Sequence, residues 1–243
     1  MLLKECFPVF VLKWNIRYTP PLQHQWREIE MLSKPSFRES LFPLLKSPIV
    51  LKLCAAMLLL GLASAIVLPF ASLFALDKVR MTPVQFGIFS VAASSSGVLF
   101  SVLIGQWTDS HGRRDGWLIS SLIAGMVAYG VYAVSGTFSV IFCVAVSLAA
   151  MFSAAPAQFL ALARARLDTS PSHDINVAMG TIRATFSLAW VLGPPLGALV
   201  LTLGGFRGIF VFAIVLLAAT AVVVSLSRVT AHQKVVLPDV QLG

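Results

Sequence analysis

An all-α polytopic membrane protein with six transmembrane helices is the fold class this sequence predicts, and three observations predict it. Apolar residues make up 58% of the 243-residue chain and charged residues only 12%, where soluble domains carry about 25% charge. Mean hydropathy is +0.87. The apolar residues also gather into uninterrupted stretches of about 20 residues, the length a helix needs to cross a bilayer. The chain therefore lacks the polar surface of a water-soluble domain.

The first stretch covers residues 53–76, and the second, 84–107, follows a short link carrying Lys78 and Arg80. The third covers 117–134 and the fourth 138–163, with only Ser135-Gly136-Thr137 between them as a tight turn. The fifth and sixth, 177–203 and 206–226, are separated by Gly204-Gly205. A lipid-exposed backbone must satisfy its own hydrogen bonds, so each stretch reads as a helix. Residues 1–47 form a polar, irregular arm broken by Pro8, Pro20, Pro21, Pro35 and Pro43, without the long apolar region of a signal peptide. Residues 48–227 form the bundle and 228–243 a short tail.

Most of the 18 Lys and Arg residues fall on one side of this layout, in the arm, in the second–third and fourth–fifth loops, and in the tail. Lys78, Arg80 and Arg207 fall on the other side, and Arg183 lies within a span. By the positive-inside rule both termini are cytoplasmic, in a multi-pass protein of the plasma (inner) membrane. The net charge of +8 reports this topology rather than nucleic-acid binding, because no basic patch is interleaved with aromatics. Three scattered cysteines, Cys6, Cys54 and Cys143, make neither a disulfide framework nor a metal site. His173-Asp174 and the pair His111 and Asp109 lack metal-ligand or nucleophile spacing, so no enzyme, metal or cofactor is expected.

Several positions within the spans are chemically distinctive. Arg183 lies about two turns into the fifth span, where a charge costs roughly 2.5–3.5 kcal/mol on insertion scales and usually faces a cavity or a partner. Snorkelling to the headgroups is its bland alternative. Asn176, Gly180, Arg183, Ser187 and Trp190 recur at three- and four-residue steps, on one helical face. That face offers an Arg and a Ser to a ligand's hydroxyls and a Trp ring to an apolar surface. Gln158 in the fourth span suits hydroxyl recognition or an interhelical hydrogen bond equally. Ala189, Gly193 and Gly197 form a small-residue stripe for close helix contact, as do Gly97, Ser101 and Gly105. Pro194 and Pro195 remove backbone donors and are expected to bend the fifth helix. Tyr129 and Tyr132 are read either as pore-lining or as ordinary interfacial tyrosines. No Asp, Glu or His lies near the middle of any span.

Between spans two and three, Gly105, Asp109, Gly112, Arg113 and Arg114 match the Gly-x-x-x-Asp-(Arg)-x-Gly-Arg-(Arg/Lys) loop of major facilitator transporters, with Ser110 standing where that family usually has Arg. In the fifth span, Ala189 through Ala198, with Gly193, Pro194 and Gly197, is similar to the glycine–proline pattern of the family's exporters. A narrower likeness runs from Pro156-Ala157-Gln158 and Ala161-Leu162-Ala163-Arg164 to Arg183 and Ser187-Leu188-Ala189-Trp190-Val191. Over residues 47–226 the chain resembles the sugar efflux branch of that superfamily. The resemblance implies the N-terminal half of a major facilitator fold, two inverted three-helix repeats. It also implies proton-linked export of lactose- or glucose-type sugars, a conformational latch at residues 105–114, and the lipid bilayer and a small sugar as partners. The alternatives are an exporter of drugs or other small molecules and a half that is silent without its partner. Such a half is either a truncated product, one that pairs with a second half or as a homodimer, or a modulator of full-length carriers.

Overall fold

A computed structural model describes residues 47–111, 114–168 and 175–232, all of them helices or the short turns between helices. The expected arm, residues 1–47, lies outside the described residues but for Ser47, as does most of the tail. Helix α1 runs Pro48–Lys78, with Pro48 in its first turn, where a missing N–H costs nothing. Pro69 cannot donate, and the helix tightens there into a single 3₁₀ turn, Leu68–Phe70. It then ends in a π turn, Phe74–Lys78. The Val79 N–H bonds the Phe74 carbonyl at 3.1 Å and the Met81 N–H bonds that of Ala75 at 3.0 Å. Arg80, in the left-handed region at φ 58°, reverses the chain.

Helix α2, Pro83–His111, opens on a capping box. The Thr82 N–H bonds Gln85 Oε1 at 2.9 Å and the Gln85 N–H bonds Thr82 Oγ1 at 3.2 Å, while Pro83 supplies a preset helical φ. Helix α3 is Arg114–Val134. Helix α4, Phe138–Asp168, is irregular at its centre. A π turn at Ala145–Ala149 and a turn at Ala154 interrupt it before Pro156, whose ring removes a helix donor.

The last helical stretch, Ile175–His232, is two helices joined at a kink, in keeping with the expected pair of spans. Its apolar portion, 53 residues, would reach about 80 Å if straight, far more than a bilayer's roughly 30 Å core. Gly205, at φ 62° and ψ −161°, divides it. A methyl group on Gly208 would meet the Val200 carbonyl at 3.4 Å, although eight residues along a straight helix span about 12 Å. The chain therefore doubles back into α5 (175–204) and α6 (206–232), and the six expected crossings stand. Helical dihedrals persist through Pro194 and Pro195; the non-helical residue is Gly205.

Neighbouring contacts give the directions. Gly61 meets Ala189, Ala65 meets Gly193 and Ile66 meets Gly197, so α5 runs alongside α1 in the same sense. Tyr129–Phe152, Ser121–Gln158 and Asp115–Arg166 run α4 antiparallel to α3. The core between helices holds Leu53, Met57, Leu60, Ile66, Leu118, Leu122, Phe159, Leu167, Ile182 and Ile209. α1 is the central helix and α2 the outermost: 56% of the most apolar window is buried in the first and 11% in the second.

Candidate functional site

A cavity of about 360 Å³ opens among α1 to α5. It lies where the backbone is least regular: Val67, Leu68 and Ala71 flank the 3₁₀ turn of α1, while Ala145, Ala149, Ser153 and Pro156 flank the interruptions of α4. Irregular backbone within a membrane is tolerated where it is buried in protein or lines a cavity. Phe89 of α2, Tyr129 and Tyr132 of α3, Phe152 of α4, and Phe186 and Trp190 of α5 supply the rings. Tyr129 and Phe152 meet edge to face at 5.8 Å, as do Phe186 and Trp190 at 6.4 Å; such pairs favour ring edges against ring faces. Among the described residues, no Asp, Glu, Lys, Arg or His lines this wall. Its two serines are already engaged with backbone. Ser64 Oγ donates to the Leu60 carbonyl at 3.3 Å, and Ser153 Oγ lies 2.6 Å from the Ala150 carbonyl and 3.2 Å from that of Gly97.

The expected site residues divide in three. Trp190 stands on the cavity wall. Asn176, Gly180, Arg183 and Ser187 are exposed along the same face of α5 as Trp190, as their spacing requires. Ser187 Oγ donates to the Arg183 carbonyl at 3.3 Å, and no acidic side chain among the described residues pairs with Arg183. Gln158 departs from this group. It is 7% exposed and wedged between α3 and α4, with Nε2 3.5 Å from Ser121 Oγ and Oε1 without a partner. Its side of α4 turns into the bundle core rather than toward the cavity, so the interhelical hydrogen bond describes its placement.

The stripe on α5 makes the close contact its spacing predicts. A methyl on Gly193 would lie 2.9 Å from the Ala65 carbonyl carbon, and one on Gly197 3.0 Å from the Ile66 carbonyl oxygen. Ala189 packs against Gly61. On α2, Gly97 meets Ser153, but Gly105 faces open space. Of the loop residues, Asp109 falls in the last turn of α2 and Arg114 begins α3; Gly112 and Arg113 lie outside the described residues.

One feature here escaped sequence reading. Arg166, counted there only as a topology charge, is 9% exposed. Its Nη2 lies 2.7 Å from Asp115 Oδ1, and its Nη1 reaches Ser227 Oγ and, at 3.5 Å, the Val224 carbonyl. It ties the start of α3 and the end of α4 to the last turns of α6. An acid in the first turn of one helix and a base in the last turn of its antiparallel neighbour was the available signal, since each also complements its helix dipole.

Six apolar crossings, alternating in direction around a cavity, describe a polytopic membrane bundle. The chain belongs to the Major Facilitator Superfamily, whose pattern matches residues 53–241. It is 42% identical over 168 residues to a protein of Deinococcus radiodurans described as a sugar efflux transporter, covering 68% of this chain and 43% of that one. It is 32% identical over 158 residues to sugar efflux transporter A of Dickeya chrysanthemi, 65% of this chain and 40% of the relative. With sugar efflux transporter C of Escherichia coli it shares 30% over 152 residues, 60% and 38% of the two chains. The chain thus spans about two fifths of the length of these relatives.

Proposed function

We propose that this chain is the N-terminal, six-helix half of a carrier that moves small sugars, of the lactose or glucose kind, out of the cell. The observation that carries the reading is the position of Trp190. It closes one side of an aromatic-walled cavity and stands on the same helix face as the exposed Arg183 and Ser187. A pyranose presents an apolar face of C–H groups and a rim of hydroxyls, and those two surfaces need a ring and polar groups side by side. The relatives' descriptions as sugar efflux transporters support the same substrate class. In this reading both termini are cytoplasmic, the protein sits in the plasma (inner) membrane, and the exposed face of α5 meets a second half or a second copy of the chain. Proton coupling rests on the family resemblance; Asp77, Asp115 and Asp168 all stand at helix ends.

A second reading, export of an uncharged apolar molecule, is favoured by the apolar character of the cavity wall. One experiment addresses both. Cells expressing the chain are preloaded with labelled lactose or glucose and the loss of label is followed, with Arg183→Ala beside the wild type. Efflux faster than in empty cells, slowed to their level by Arg183→Ala, supports sugar export. Efflux equal to that of empty cells, with the protein in the membrane, rules out sugar export by this chain alone.

A further inference from the structure

The cavity wall is almost wholly hydrocarbon, and a sugar entering it needs groups that both donate and accept hydrogen bonds. Ser64 and Ser153 have committed their protons to backbone carbonyls. The Trp190 indole can donate but not accept. Tyr129 and Tyr132 remain, one helical turn apart on α3, their ring centroids separated by 6.4 Å. Neither phenol oxygen has a hydrogen-bond partner among the described residues. Nor is either among the enclosed polar atoms left without a partner, which are Thr108 Oγ1 and Gln158 Oε1. Each phenol oxygen therefore keeps some accessible surface on a residue that lines the cavity, although Tyr129 as a whole is only 6% exposed, and a phenol so placed normally finds a partner.

Their rings are held from several sides. Tyr129 meets Phe152 edge to face and stacks on Phe210 at 6.1 Å. Tyr132 packs on Phe74 at 6.2 Å and on Phe210 at 5.7 Å. Helices α1, α4 and α6 thus fix the orientation of both phenols before any ligand arrives, the preorganisation a recognition site requires.

We propose that the Tyr129 and Tyr132 hydroxyls recognise the sugar, each hydrogen-bonding a ring hydroxyl of a pyranose lodged in the cavity; this rests on the sugar-export reading above. They set specificity for hydroxyl pattern, while Trp190 and Phe186 accept the apolar face.

The test is equilibrium binding of labelled glucose to the purified chain in lipid nanodiscs, for wild type, Tyr129→Phe and Tyr132→Phe, with monodeoxyglucoses as competitors. Phenylalanine keeps the ring packing, so the thermal midpoint should hold. Each variant is expected to bind glucose about 2- to 12-fold more weakly, the loss of one hydrogen bond. For the deoxy sugar lacking the matching hydroxyl, wild type and variant should bind alike. Equal glucose affinity in wild type and variants would overturn the inference and leave sugar binding standing. A loss of the same size for glucose and every deoxy analogue would make the tyrosines structural and overturn it as well. No saturable glucose binding by the wild type would remove the sugar-site reading and this inference together.

Discussion

At the residue scale, burial decides which polar side chains serve the bundle and which face outward. Arg166, on α4, bonds two other helices at once, and removing its guanidinium deletes the ion pair to Asp115, which is 37% exposed and so partly hydrated. Arg166→Ala is expected to cost about 1–3 kcal/mol, below the 3–5 kcal/mol of a fully buried pair, read as a lower thermal midpoint in detergent. Gln158 predicts the opposite outcome. Its one bond is long at 3.5 Å and its oxygen is unsatisfied, so Gln158→Leu should change stability by less than about 1 kcal/mol. If the chain exports sugar as proposed, export should persist in Gln158→Leu, since this side chain is not among those lining the cavity. The sequence could not separate these cases. Gln158 and Arg183 both lie in largely apolar spans, and only the neighbouring helices show that one meets Ser121 while the other meets no acid among the described residues.

At the scale of elements, small residues acquire meaning from what stands opposite. Gly193→Val would drive methyl groups into the Ala65 backbone, separating α1 from α5. Overpacking of this kind costs about 1–3 kcal/mol or more, and loss of folded protein after detergent extraction would show it. Gly105→Ala, with open space before it, should leave the bundle's stability intact or raise it, since alanine favours helix by about 1 kcal/mol. Spacing alone ranked the two stripes equally. The helix limits were largely legible, because Gly204-Gly205 and Ser135-Gly136-Thr137 break the apolar runs where the structure turns. The π turn at Ala145–Ala149 was not. No Gly or Pro marks it, and it arises in a run of small apolar residues that serves a helix equally well. The cavity was hidden for the same reason, since its walls come from five helices and two local irregularities.

At the scale of the whole molecule, six alternating crossings place the α1–α2 turn at the opposite end from the Arg166–Asp115 pair. If the basic loops face the cytoplasm, a cysteine at Lys78 in a chain whose native cysteines are replaced by serine should react with an impermeant maleimide added to intact cells. A cysteine at Asp168 should react only after the cells are opened. Reversed labelling would invert the topology. Number and order of crossings were readable from hydropathy, because bilayer thickness imposes them. How the helices pack was not, because lipid is as apolar as the helix surfaces and hydrophobicity does not choose between them.

The pairing of α1 with α5 also bears on how the chain comes to be made. Gly61 and Ala65 find their partners in Ala189 and Gly193, which leave the ribosome long after them. At ordinary synthesis rates of 5–20 residues per second the wait is about 6–25 s. During that interval the grooved side of the first helix has only lipid, an insertase or a neighbouring nascent helix to lie against. Assembly of the centre must therefore wait for the fifth crossing, and a protease acting on unassembled membrane chains has that interval in which to act.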